Sequence, residues 1–329
     1  MSITESQIVS DCKAGKYAPV YLLTGDENYF IDRVSDFLEA IVVPEENRDF
    51  DQSVLYGRDV EMRDVVALAQ RYPMMSERQL VMVKEAQDIP TRDGAWDLLA
   101  KYLEHPQPQT VLVFCHRHKK LDKRSKAYKA IEKAGVVFEA NPVAEAKLPL
   151  WISQFVKSNG YEVTEKVANL ISEYVGSDLS KITNELSKVF VAEPKGTVIG
   201  DAVVERYIGI SKDYNVFELQ SAIARRDIEK CNRIVNNFAA NPKANPIQMV
   251  LPMLYAFFVK VMAYIQDPAG VRVWPVADYQ MASQNYTLPK LASCIKYLYD
   301  ADLKSKGVNN SGSITDGELY KEMIFKIIH

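Results

Sequence analysis

The residues best placed for chemistry stand where "PVYLLTG" gives way to "DENYFIDRVSDF". A buried strand, a glycine and a helix form the layout that cradles a nucleotide phosphate, with loop amides around the oxygens and a helix N-terminus behind them. A working loop reads GxxxxGK[ST], the lysine neutralising the phosphates and the hydroxyl holding magnesium. Here Gly25 is followed by Asp26, Glu27, Asn28, Tyr29 and Phe30, and no Gly-Lys-Ser/Thr comes after them. Two carboxylates therefore stand where phosphates would sit. They repel a polyphosphate but suit the helix dipole. The Gly15-Lys16 pair precedes the strand and lies on its wrong side. The apolar run "LVMV" ends in Lys84-Glu85, a cation where a magnesium-holding aspartate is wanted. Both halves of the site fail independently. Gly25, Asp26 and Glu27 thus read as a degenerate nucleotide loop with no binding expected: Gly25 supplies a bend, and Asp26 and Glu27 cap the helix.

A second constellation is "RYPMMSERQLVMV". Pro73 ends the preceding helix. Met74 and Met75 then form an apolar pair inside a polar rim of Arg71, Ser76, Glu77 and Arg78. Methionine is flexible and polarizable and fills irregular pockets, and two apolar anchors in a polar rim fit the pattern of an interface hot spot. Burial under the following strand is the competing reading. A third constellation is the basic stretch "HRHKKLDKRSKAYKAIEK", where Arg117, Lys119, Lys120, Lys123, Arg124, Lys126 and Lys129 are expected within about four helical turns. Such local charge serves DNA-backbone contact, a subunit surface, or a plain solvated face. His116 and His118 lack cysteine or acid partners at ligand spacing apart from Cys115, so no metal is expected. Glu45-Glu46 reads as solvent-facing, and no nucleophile–base arrangement is credible.

The elements that must position these residues fall into two regimes. Up to about residue 140, strands at Val20–Leu23, Ser53–Gly57, Gln79–Ala86, Gln109–His116 and Val136–Ala140 alternate with helices, which implies a mostly parallel three-layer α/β sheet. After "NPVAEAKLP" helical spacing dominates and strand signals vanish. Three short helices break at Asn159-Gly160 and Gly176-Ser177, with caps at Thr164 and Asp178. Pro194–Asp213 reads as a connector, and the rest is helical, with Phe217, Leu219, Ile223, Ile228 and Ile234 as the apolar positions of a helix pair. The fold class is α/β plus all-α: residues 1–142 an AAA+-like sheet domain, 143–210 a small three-helix lid, 211–329 a C-terminal helical domain. The net charge of −3 supplies no bulk basic field to draw the chain onto nucleic acid or membrane. The four cysteines, Cys12, Cys115, Cys231 and Cys294, are dispersed and read as free thiols of a reducing cytoplasm. No apolar signal core opens the chain. The run Met249–Ile265 is interrupted by Pro252 and Lys260 and falls short of the ~20 residues a membrane span needs.

In this order, "PVYLLTGDENYFID", "YPMMSERQLVMVKEA", "KKLDKRSKAYKAI", "VGSDLSKITNELSKV", "YNVFELQSAIARRDIEKCNRIV" and "DADLKSKG" together resemble the delta-subunit family of the bacterial DNA polymerase III clamp loader. The resemblance spans nearly the whole chain. It implies a subunit that binds and opens the ring-shaped sliding clamp (the beta subunit) during replication, with a degenerate AAA+ domain, no cofactor and no catalysis of its own. It would be a non-catalytic part of a DNA-directed DNA polymerase (nucleotidyltransferase) holoenzyme. The partners it implies are the clamp, the ATPase subunits (tau/gamma), delta-prime and primed DNA, in the cytoplasm and without a membrane. The C-terminal domains of the subunits would form a collar. Met74 and Met75 fall where the family plugs a pocket on the clamp, with Pro73 and Arg78 beside them; other members often carry leucine and phenylalanine there. Lys119, Lys120, Lys123, Arg124 and Lys126 are the candidates for DNA-backbone or subunit contact. The alternatives are an active AAA+ ATPase with an atypical phosphate loop, or a helical adaptor unrelated to replication.

Overall fold

The structure, a computed structural model, describes residues 3–91, 94–118, 121–209, 214–242, 245–271, 273–308 and 314–329. The chain divides into two compact units, Met1–Val143 and Ala144–His329.

The first unit opens with α1 (Glu5–Lys13), β1 (Val20–Gly25), α2 (Asn28–Ile41) and the single turn α3 (Arg48–Asp51). It continues with β2 (Gln52–Tyr56), α4 (Met62–Ala69), β3 (Gln79–Lys84), α5 (Ala95–Tyr102), β4 (Thr110–Arg117), α6 (Lys126–Ala134) and β5 (Val136–Ala140). The five strands pair in parallel in the order β2-β3-β4-β1-β5. The continuous apolar runs of β1, β3 and β4 are explained by burial on both faces. Val20, Leu22, Val81, Val83, Leu112 and Phe114 point to one side, against Val65 of α4, Leu99 of α5 and Ile131 of α6. Tyr21, Leu23, Leu80, Met82, Val111 and Val113 point to the other, against Ile8 of α1 and Ile31, Val34 and Leu38 of α2. This is the three-layer parallel α/β sheet read from the sequence. The basic stretch is divided between elements: Arg117 ends β4, and α6 starts only at Lys126, after Ser125 caps it.

The second unit holds α7 (Leu148–Ser158), β6 (Glu162–Val163), α8 (Glu165–Val175), α9 (Leu179–Ala192), β7 (Val198–Ile199) and α10 (Asp201–Tyr207). Then come α11 (Val216–Arg225), α12 (Ile228–Ala240), α13 (Ile247–Gln266), α14 (Val276–Asn285), α15 (Leu288–Ser305) and α16 (Asp316–Ile328). Thr164 and Asp178 cap α8 and α9, as expected. Strand signal does not vanish, however, because β6 and β7 form a two-residue parallel pair, and the expected connector contains α10. Ile228, expected in the helix-pair core, opens α12 and is exposed. The apolar run Met249–Ile265 belongs to the 20-residue α13, which continues through Pro252. By length and composition α13 could cross a membrane. Its Val250, Leu254, Phe258 and Val261 are buried in the helical core of this unit. All four cysteines are free and buried.

Phe114 is fully buried at the centre of the sheet. Phe114→Ala should destabilise the first unit by about 3–5 kcal/mol, read as a lowered denaturation midpoint of that unit.

Candidate functional site

Parallel strands give the sheet two chemically different ends, and the two sequence constellations occupy opposite ones. The degenerate nucleotide loop follows β1 at the carboxyl end, where open α/β sheets place their ligands. The methionine loop precedes β3 at the amino end, beside the entry to β2. One strand length, about 20 Å for six residues, separates the ends.

At the carboxyl end the loop is occupied by its own chain. The N–H groups of Asp26 and Glu27, which a phosphate would need, both donate to the carbonyl of Ala140 at 3.1 and 3.2 Å. Gly25 permits this approach. Its φ is +139°, and a Cβ there would lie 2.0 Å from the Ala140 oxygen. Glu27 caps α2 by accepting from the Tyr29 amide at 3.2 Å. Asp26, expected to share that role, is exposed and contributes its amide instead. On the other side, the His118 amide donates to the Gly25 carbonyl at 3.2 Å, and the Asn28 side chain meets the His118 ring at 3.0 Å.

The neighbouring strand ends are tied by charge. The guanidinium of Arg117 pairs with Asp32 and, at 3.2 Å, with Glu85. Gln87 accepts from the Arg117 amide at 2.9 Å. Lys84 pairs with Glu39 at 3.0 Å. Burial pulls the Lys84 ammonium down, but the Glu39 carboxylate outweighs it and leaves the pKa raised. Arg117, read as part of a basic face, is thus an internal ion-pair partner. Among the described residues no three His, Cys, Asp or Glu side chains converge as metal ligands.

At the amino end the arrangement is opposite: the backbone is held and the side chains are free. Met74 is 74% exposed and Met75 62%, so neither lies under β3. Tyr72 is 72% exposed, and Phe50 is exposed beside the loop's anchor. That anchor is Asp51, 3% exposed, at the end of α3. Its carboxylate accepts from the Met74 amide at 2.5 Å, the Met75 amide at 2.9 Å and the Ser76 amide at 2.6 Å. Burial pushes this carboxyl up, but the amides donating to it outweigh that and hold it below the ordinary carboxylate range. The ends of the loop are framed by Gln79, whose side-chain amide donates to the carbonyls of Leu68 at 3.2 Å and Arg71 at 2.6 Å, and to Thr110 Oγ1 at 2.7 Å. Asn47 reaches the Met75 carbonyl at 3.3 Å and Gln109 the Glu77 carbonyl at 3.2 Å. Pro73 is half-buried. The Arg78 guanidinium lies over the Tyr17 ring, 5.3 Å from its centre, and 3.8 Å from Glu77.

Asp51, Gln79, Asn47 and Gln109 were not legible as site residues. No motif marks them, and Asp51 lies more than twenty positions from the amides it binds. Of the basic candidates, Lys119 and Lys120 lie outside the described residues. Lys123 pairs with Glu139, Arg124 with Asp122 at 3.2 Å and Lys126 with Asp97 at 3.6 Å. All three basic side chains are exposed, and such solvent-screened pairs contribute little to stability. They follow β4, at the end of the sheet opposite the methionine loop.

The fold and these two loops define a three-layer parallel α/β unit with a loop after β1 closed by its own chain and an exposed apolar loop at the far end of its sheet. A family model described as "DNA polymerase III, delta subunit" matches residues 21–141, the stretch that contains both loops. The DNA polymerase III subunit delta of Bacillus subtilis is 28% identical over 222 residues, 65% of this chain and 63% of that protein. The aligned part thus spans less than two thirds of the relative's length. The solved structure of the Bacillus subtilis DNA clamp loader delta protein (YqeN) is similar over 99% of both chains, with a TM-score of 0.61 and 21% identity, a likeness of fold. The resemblance read from the motifs is shared by these comparisons: the chain is similar to DNA polymerase III delta subunits.

Gly25→Ala should force the loop off the Ala140 carbonyl. A side chain at this φ with a backbone oxygen in its place should lower stability by about 2 kcal/mol or more, measured by chemical denaturation.

Proposed function

We propose that this chain is the subunit of a bacterial clamp loader that binds the sliding clamp and opens it during DNA replication, without hydrolysing ATP. The observation that carries the reading is the exposure of Met74 and Met75 on a loop whose backbone is anchored by the Asp51 carboxylate. Exposing two large apolar side chains side by side costs solubility, and a folded protein usually buries them unless a partner does so. The alignment with the delta-subunit family covers this loop. In the proposed complex the two methionines enter an apolar pocket on the clamp, while Pro73 and Arg78 form the rim that excludes water from it.

Non-hydrolysis is supported by the missing Gly-Lys-Ser/Thr, by the loop amides spent on Ala140, and by Lys84 and Arg117 being engaged with Glu39, Asp32 and Glu85. The role is therefore binding and mechanical, within a polymerase holoenzyme whose ATPase subunits (tau/gamma) drive the cycle. Those neighbours would bias whether the methionine loop is offered to the clamp. Delta-prime and primed DNA complete the proposed assembly, in the cytoplasm. Residues 143–210 would act as a lid and 211–329 as the collar domain that packs into the ring. Lys119, Lys120, Lys123, Arg124 and Lys126 stay proposed contacts to the DNA backbone or a neighbouring subunit.

The test is binding to the sliding clamp of the same organism without nucleotide, by calorimetry or surface resonance. The double substitution Met74→Ala/Met75→Ala should weaken it by about 2–4 kcal/mol, a loss of roughly thirty-fold or more. ATP turnover by the chain alone should not exceed background. Wild-type affinity in the double variant would remove the methionines from the interface, and turnover by the isolated chain would return the ATPase reading.

A further inference from the structure

The methionine loop has an unusual feature: three consecutive backbone N–H groups converge on one buried carboxylate. Successive amides pointing into one concavity make an anion-binding nest. In this protein the nest of Met74, Met75 and Ser76 is filled by Asp51 from the same chain. Bonds from backbone N–H to an ionised carboxylate are among the stronger hydrogen bonds in proteins. The arrangement also explains how an exposed loop keeps one shape. Met74 and Met75 contribute little burial of their own, so nothing apolar holds them in place. The loop's shape must come from its backbone, and the central backbone contacts run to Asp51.

We propose that Asp51 is the positioning residue of the clamp-binding loop: its carboxylate fixes the turn that presents Met74 and Met75 side by side before any partner arrives. The proposal rests on the clamp-binding reading and adds to it the source of pre-organisation. A loop already in its bound shape does not spend interaction energy on ordering itself, and the difference appears as affinity. The carboxylate touches no partner in this account. It acts through the two methionines, which gives it a signature that a contact residue lacks.

That signature is non-additivity. Asp51→Asn keeps the size of the side chain but removes the charge and turns an N–H₂ group toward amides that need an acceptor. Hydrogen–deuterium exchange of peptides covering residues 70–79 should show protection of the Met74–Ser76 amides in the wild type and its loss in Asp51→Asn. Circular dichroism and the melting temperature should report a retained fold. Affinity for the sliding clamp should fall about tenfold or more. The same substitution placed on Met74→Ala/Met75→Ala should cost almost nothing further, because the groups it positions are gone. If Asp51→Asn unfolds the unit, Asp51→Glu, which keeps the charge but displaces it by one methylene, carries the same comparison.

Unprotected amides in the wild type would overturn the proposal. So would a variant that loses protection yet binds the clamp as well as the wild type, or one whose loss is the same with and without the methionines. A wild type that fails to bind the clamp at all overturns the reading beneath the proposal, and the proposal with it. The exchange data then separate that failure from a failure of Asp51 to hold the loop.

Discussion

A backbone N–H that leaves water must find an acceptor, and the two loops of the first unit are shaped by how they meet that demand. At the carboxyl end of the sheet, the Ala140 carbonyl takes the amides of Asp26 and Glu27. At the amino end, the Asp51 carboxylate takes those of Met74, Met75 and Ser76. The same rule has opposite consequences. In the first loop the backbone closes on itself, and the space of a phosphate is lost. In the second a side chain satisfies the backbone, and the methionine side chains are left free to face outward. One sheet thus carries a loop closed by its own chain at one end and a loop with exposed apolar side chains at the other.

Electrostatics supports this division. Lys84 and Arg117, at the ends of β3 and β4, are both engaged: Lys84 with Glu39, and Arg117 with Asp32 and Glu85. Each of these pairs joins groups from different elements of the unit. They stitch the ends of β3 and β4 to α2. Gly25 completes the closure, since only a residue without a side chain lets β1 turn this close to the end of β5.

Much of this was legible in the residues, for identifiable reasons. β1, β3 and β4 announced themselves because strands covered on both faces need unbroken apolar runs. The bend at Gly25 and the cap at Glu27 were legible because a strand that turns into a helix needs particular residues at those positions. The methionine pair was legible through the polar rim around it and the family it resembles. What was not legible depends on contacts distant in sequence or on competing local signals. Asp51 gave no sign of its role, since its partners lie on another loop. The two-residue β6–β7 pair is too short to leave a period. The inward turn of Arg117 was not legible in the basic stretch because charges say nothing about where a strand stops; Arg117 ends β4 and pairs with Asp32. α13 runs through Pro252 because its neighbours in the helical core outweigh one missing hydrogen bond.

The central claim is that Met74 and Met75 are the surface this chain offers to a sliding clamp. Methyl NMR of the protein labelled at its methionines, titrated with unlabelled clamp in the absence of nucleotide, addresses it directly. The account predicts that the Met74 and Met75 methyl signals shift or broaden with the clamp, while that of the buried Met323 in the helical unit does not. A clamp that binds and leaves the Met74 and Met75 signals untouched would contradict it.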